Sequence, residues 1–223
     1  MIIAFRNFKR NKTVNLTYKS ILYFQPNLKC ICVSFFENTK KEYDDLEPLN
    51  KNIQNFYIQT KYPNKTNKPQ DHIDSTKTSG WANPDNAKFF TEGYNQIFNI
   101  LQNENDKVLM LAEDHFFTKG IVLQDLLDND YDLAYAAWDH PSELDANASI
   151  LCIRPNKLKH LFPVSEEGGQ IIEHRICNSL IIKINPSRLY KMKYRKRINY
   201  FNDGMYTNSS EEIKSELKKV NII

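Results

Sequence analysis

The residues best equipped for chemistry lie together at 113–115. There an apolar run, Val108-Leu109-Met110-Leu111-Ala112, passes without a break into Glu113, Asp114 and His115. A run of that kind reads as a strand buried on both faces, as a central parallel strand is. In open α/β sheets, ligands bind beyond the carboxyl ends of such strands. Two carboxylates and an imidazole there suit Mg²⁺ or Mn²⁺, hard cations that take oxygen ligands and an occasional ring nitrogen. Side chains alternate across a strand, so the three do not all share a face. Asp114 with one neighbour is expected to reach the metal or its waters. The plainer alternative is that Glu113 and Asp114 end the strand and cap the next helix.

A metal gains weight from what the chain lacks. It has 6 glycines and no GxGxxG or GxxxxGK[ST]. That excludes an ordinary dinucleotide fold and a P-loop NTPase. A phosphate bound without a glycine-rich loop needs another source of positive charge, and a divalent cation supplies it.

Composition sets the frame. With 223 residues, 41% hydrophobic and 26% charged, the chain is neither disordered, collagenous nor a coiled coil. A net charge of +3 suits a handler of phosphates and is low for gripping a polyanion. Mean hydropathy is −0.59, and no apolar run approaches the roughly 20 residues of a membrane-spanning helix. The N-terminal MIIAFRNFKR shows no export signal or lipidation box. Cys30, Cys32, Cys152 and Cys177 lack zinc-site spacing and read as buried, reduced thiols. A cytoplasmic protein is expected.

The elements that must position the acidic run alternate between strand and helix. Strands are predicted over 2–5, 30–36, 55–59, 107–112, 132–138 and 149–153. Helices are predicted over 14–24, 87–102, 121–127, 169–180 and 211–219, and in part over 41–53. Phe89, Phe90, Tyr94, Ile97, Phe98 and Leu101 recur at helical spacing and give the strongest helix. Residues 61–86 are polar, contain Pro63, Pro69, Gly80 and Pro84, and read as a long loop, functional or mobile. The basic tail at 188–197 interleaves Tyr with Lys and Arg and reads as a solvated edge or as a nucleic-acid or phosphate surface. The fold class expected is α/β: one domain with a mostly parallel central sheet flanked by helices.

This layout resembles the GT-A glycosyltransferases: a strand–helix–strand–helix–strand unit, a long helix, then an apolar strand ending in an acidic box. Glu113-Asp114-His115 departs from the family's D-x-D, although boxes ending in His occur among its members. The short chain and the tail around Asn202-Asp203-Gly204-Met205-Tyr206-Thr207-Asn208 also look like the small glycosyltransferases of large algal viruses, such as the chlorella viruses.

The resemblance implies a nucleotide-sugar donor, expected to be a UDP-sugar, with Mn²⁺ or Mg²⁺ on its diphosphate. It implies a glycan or glycoprotein acceptor, and no nucleic-acid partner. Residues 1–115 would form the donor half; 116–223 would form the acceptor half and tail. Arg6, Asn7 and Arg10 follow the first strand, where the family holds the nucleobase and ribose; they also suit a solvated surface. Trp81, Asn83, Lys88 and Glu113 are the other donor-side candidates, and Trp81 suits folding back on the core equally. Asp114, His115 and His174 are candidates for the metal, although His174 also suits a surface or the core. An inverting course is favoured, with Asp139, Glu166 or Glu167 as its base; a retaining enzyme needs none. A metal-dependent nuclease or nucleic-acid module, using the acidic box and basic tail, is the competing reading. A non-catalytic α/β domain is a third.

Overall fold

The computed structural model describes residues 1–60, 84–112, 115–138, 146–164, 172–197, 200–201, 205–207 and 210–223. In chain order these form β1 (Ile2–Asn7), α1 (Asn11–Phe24), β2 (Lys29–Phe36), β3 (Ile53–Gln59), α2 (Pro84–Leu101), β4 (Val108–Ala112) and β5 (His115–Phe117). They continue as α3 (Ile121–Asp128), β6 (Leu133–Trp138), β7 (Ala146–Ile153), α4 (Pro155–Leu158), α5 (Ile172–Ile181) and β8 (Leu189–Arg197). The chain closes with β9 (Tyr200–Phe201), β10 (Met205–Thr207) and α6 (Ser210–Lys219).

The strands form one mixed sheet in the order β3-β2-β1-β4-β7-β6-β8-β9-β10-β5. β3, β2, β1 and β4 are parallel, and β7 runs against them between β4 and β6. β8 is parallel to β6. The carboxyl ends of β3, β2, β1, β4, β6 and β8 therefore share one edge. β1 explains why the apolar runs do not alternate with polar residues. Its Ile2 and Ala4 pack with Tyr94, Ile97 and Phe98 of α2 and with Ile176 and Leu180 of α5. Its Ile3 and Phe5 pack on the other face, with Val14, Tyr18 and Ile21 of α1 and Val122, Leu123 and Leu126 of α3. Each such side chain taken fully from water contributes about 1.5–3 kcal/mol.

Two expectations need correction. The segment 41–53 forms only a 3₁₀ turn, Lys40–Tyr43. A longer helix is pre-empted by Asn15 of α1, whose Oδ1 accepts from Asn50 N at 2.9 Å and whose Nδ2 donates to Pro48 O at 2.8 Å. Those bonds strap the segment to α1, and Pro48 has no N–H for a helical bond. The tail forms a strand, β8, paired on both sides, with β6 and β9, rather than an edge segment. Met192 packs into the α1–α3 side of the core, and Tyr190 stacks on Tyr131 at 5.6 Å and donates to Asp125 Oδ2 at 2.6 Å. Leu189, Tyr190 and Met192 thus tie the start of β8 to the core. All four cysteines are free and buried. Among the described residues, no helix is long and apolar enough to cross a membrane.

Candidate active site at the carboxyl edge of the sheet

β1 reaches the shared edge at Asn7, opposite Ser34 of β2. Asn7 is fully buried, and both ends of its amide are hydrogen-bonded. Nδ2 donates to Asn11 Oδ1 at 2.8 Å and to Ser34 Oγ at 3.1 Å, while Oδ1 accepts from Arg10 N at 2.9 Å. Ser34 Oγ passes the chain on to Asn55 Oδ1 of β3 at 2.8 Å. Asn7 therefore shapes the turn from β1 into α1. Its amide stitches three parallel strands and the first turn of α1 into one polar network, the kind of arrangement that fixes a single geometry.

The turn itself is strained and held. Lys9 has φ 55°, in the left-handed region, which costs a non-glycine residue roughly 1–2 kcal/mol. Its N–H donates to Tyr43 Oη at 3.1 Å, and Tyr43 donates in turn to Phe35 O at 2.8 Å. Its ammonium meets Glu42 Oε2 at 2.7 Å. The Glu42 carboxylate also accepts from the backbone N–H groups of Asn38, Thr39 and Glu37. Lys9, with those amides, holds its pKa down to about 2.

Arg6 is 7% exposed. Its guanidinium lies 5.2 Å over the Tyr94 ring of α2, so that helix backs the arginine by cation–π contact. Arg6 is also the register partner of Ala112, the last residue of β4. The next described residue after Ala112 is His115, which begins β5 and is 2% exposed. Arg10 stands at the head of α1, and its carbonyl accepts from Val14 N at 3.0 Å.

The remaining candidates divide by location. Trp81, Asn83, Glu113, Asp114, Asp139, Glu166 and Glu167 lie outside the described residues. Lys88 falls in α2 and His174 in α5. Asn95 of α2 clips residue 164 from both directions: Nδ2 donates to Val164 O at 3.1 Å, and Oδ1 accepts from Val164 N at 2.9 Å. That fixes the backbone two residues before Glu166. The basic run of β8 travels parallel to β6, with Arg195 opposite Ala137 and Lys196 opposite Trp138, toward the carboxyl edge. Among the described residues, no group of three or more His, Cys, Asp or Glu side chains could hold a metal ion.

Sequence reasoning passed over Lys9, Ser34, Glu42, Tyr43 and Asn55. One signal was available. Ser34 interrupts the apolar run CICVSFF, and a hydroxyl in a doubly covered strand needs a buried partner.

No protein-family model matches the sequence, and no curated protein matches it. Solved structures do. The galactosyltransferase LgtC, in complex with donor and acceptor sugar analogues, aligns with a TM-score of 0.51 at 16% identity, over 86% of this chain and 73% of that one. The chain has the GT-A fold. The bifunctional glycosyltransferase WbbM aligns with a TM-score of 0.50 at 10% identity, over 86% of this chain and 38% of that one. The glycosyltransferase GlyE of Streptococcus pneumoniae aligns with a TM-score of 0.47 at 15% identity, over 86% of this chain and 45% of that one. The GT-A chain thus spans about three quarters of LgtC and under half of each of the other two.

Proposed function

We propose that this protein is a glycosyltransferase that moves a sugar from a nucleoside-diphosphate donor, a UDP-sugar in the first instance, to a hydroxyl of a glycan or glycoprotein. The observation that carries the reading is a meeting of two features at one edge of a GT-A sheet. The carboxyl end of β1, where Asn7 shapes the first turn, lies beside the carboxyl end of β4, because Arg6 and Ala112 are register partners, and Glu113 and Asp114 follow Ala112 in the sequence. A nucleotide bound along that edge would place its base and ribose by the first turn and its diphosphate by the acidic pair.

Mn²⁺ or Mg²⁺ fits the donor set of this segment, which offers two carboxylates and one imidazole. Asp114 would hold the ion, with Glu113 or His115 beside it. Once bound, the cation would neutralise charge developing on the departing diphosphate. The protein's own part is positional. The Asn7 network fixes the first turn, Tyr94 orients Arg6, and β8 brings its basic run to the same edge. An inverting course would need a carboxylate base, for which Asp139, Glu166 and Glu167 are the candidates. The anomeric configuration of the product, read by NMR, distinguishes that course from retention.

The first experiment is thermal shift with UDP, GDP, CDP and their sugar conjugates, each with and without Mn²⁺. A ligand at about a hundred times its Kd stabilises by about 2.7 kcal/mol, a rise of several degrees for a chain of this size. A metal-dependent rise with one nucleotide, lost in Asp114→Ala at unchanged fold, is the expected result. Salt-sensitive binding of an oligonucleotide with no response to any nucleotide would instead favour a nuclease or nucleic-acid module.

A further inference from the structure

We propose that the corner where the ends of α1 and α6 meet the start of α3 is a membrane-docking face, which rests on the surface of an anionic lipid bilayer.

Helix α1 is enclosed over most of its length. Of its residues, Lys12, Lys19 and Tyr23 are the exposed ones. Their spacing of seven and four puts them on one narrow stripe of the helix. α6 lies beside that stripe. Its Glu211 pairs with Lys12, and its Ile213 and Leu217 pack with Leu16 and with Phe116 of β5. The two helices therefore run in the same direction, and the last turn of α6 comes level with the Lys19–Tyr23 end of α1. α6 stops in a Schellman motif. Asn221 has φ 58°, Ile222 N donates to Leu217 O at 2.9 Å, and Asn221 N donates to Lys218 O at 3.1 Å. That turn folds Ile222 back against the Leu16–Phe116 cluster and leaves Lys218, Lys219 and Val220 exposed. α3 joins from the other side. A Cβ at Gly120 would stand 2.9 Å from Phe24 Cδ1, and Gln25 Nε2 donates to Gln124 Oε1 at 2.9 Å. Lys119 and Ile121 flank Gly120, and both are exposed.

Large apolar side chains thus stand in water at one corner: Tyr23 at 58% exposure, Ile121 at 60%, and Val220 beside them. Lys19, Lys119, Lys218 and Lys219 stand among them. Lys219 pairs with Glu216, and the other lysines give the corner its positive charge. This chemistry selects the occupant. Anionic headgroups complement the lysines, whose stems can lie along apolar surface while the ammonium groups stay at the phosphates. A tyrosine suits the boundary between headgroup and acyl chain, and isoleucine and valine supply apolar area that enters it. A second copy fits worse, because a two-fold contact would set this patch on itself, lysine against lysine. A nucleic acid would use the lysines and leave Ile121 and Val220 in water. The place also keeps the candidate active site clear. α1 leads through residues 25–28 into Lys29 at the amino end of β2, so the corner lies toward the opposite edge of the sheet.

The test is flotation of the full chain with vesicles of phosphatidylcholine alone and of phosphatidylcholine mixed equally with phosphatidylserine. The protein should bind the mixed vesicles only, and less as salt rises. Lys19→Gln with Lys119→Gln should weaken binding about thirtyfold, from about fivefold for each lysine. Tyr23→Ser with Ile121→Ser should weaken it at least about tenfold. All four side chains are exposed, so both variants should keep the Tm of the unsubstituted protein. The matched control is Ile182→Ser with Lys157→Gln and Lys183→Gln. Ile182 is 76% exposed, but its neighbours Ile181 and Ile184 pack on the α2–α5 side of the sheet, away from the corner. That variant should bind as the unsubstituted protein does. An equal loss in the control, or no binding of the unsubstituted protein to mixed vesicles, overturns the proposal. So does binding that survives Tyr23→Ser with Ile121→Ser, which would leave charge alone as the cause. A dimer in sedimentation that the same pair abolishes also overturns it, and assigns the corner to a second copy. No readout uses a sugar donor, so the result stands apart from the glycosyltransferase reading.

Discussion

The Lys9 ammonium and the Glu42 carboxylate meet at 2.7 Å and lock the turn after β1 to the turn after β2. The ion pair is a bridge between loops rather than a surface decoration, because Glu42 also gathers three backbone amides. Glu42 is held at about 2, below its ordinary 4.5. A carboxylate with a depressed folded pKa lends stability above its unfolded value, and the protein loses that stability as pH falls toward the folded value. Glu42→Gln should therefore lower Tm by a constant amount from pH 7 down to about 5. The gap from the unsubstituted protein should narrow below about pH 4.5 and close toward about pH 2. Tm against pH for both proteins checks this, and a gap unchanged at pH 3 would contradict it.

Tyr43 is the second fastening of the same turn. Its buried hydroxyl accepts from Lys9 N at 3.1 Å and donates to Phe35 O at 2.8 Å. Tyr43→Phe leaves both backbone groups without that partner in a site with little water, which should cost about 1–3 kcal/mol. Tyr23, at 58% exposure, is the natural control; Tyr23→Phe should stay within about 0.5 kcal/mol. Urea unfolding midpoints of the two variants test the difference.

How much of this was legible in the sequence follows from which forces act locally. β4 and α2 could be read because burial on both faces, and on one face at helical period, writes itself into the residue pattern. The Asn7 network could not be read, since asparagine, serine and tyrosine join it from four places along the chain. Nothing local tells Ser34 that its partner is Asn55. β5, β9 and β10 are two or three residues long, too short to show a period. The segment after Tyr43 looked helical by composition, and the deciding contact was a single side chain, Asn15, in another element. Of the candidate site, the edge was legible from the apolar strand that ends at Ala112. The fastenings that shape its first turn were not.

Lys107 illustrates a boundary fixed from a distance. The apolar run predicts a strand from 107, but β4 begins at Val108. Lys107 Nζ instead donates to Leu126 O at 2.8 Å, Leu127 O at 2.9 Å and Asn129 O at 2.6 Å, and lies 4.6 Å over the Tyr131 ring. An ammonium there satisfies carbonyls left over at the end of α3 and opposes the negative end of its dipole. Lys107→Met should cost about 2 kcal/mol. Lys107→Arg should recover only part of it, because a planar fork does not gather three converging carbonyls as an ammonium does. Chemical denaturation of the pair decides between a charge effect, which Arg would rescue fully, and this geometric one.

Gly93 offers a way to move Arg6 without removing it. A Cβ at Gly93 would stand 3.1 Å from Arg6 Cδ and 3.5 Å from Phe35 Cζ. The first distance is tight, so the Arg6 side chain must yield by a few tenths of an ångström, and its flexible stem lets it do so. Against that, alanine in the interior of α2 gains about 0.8–1 kcal/mol of helix propensity over glycine. Gly93→Ala should therefore leave stability unchanged or raise it by up to about 1 kcal/mol. Nucleoside-diphosphate affinity should nevertheless fall severalfold, because the guanidinium no longer rests on Tyr94 in the same place. Stability and affinity moving in opposite directions would mark Arg6 as a ligand-facing group whose position matters. If affinity holds in Gly93→Ala and also in Arg6→Met, the arginine is a structural cover over Tyr94, and the donor contacts at this edge come from other groups, with Arg10 the next to substitute.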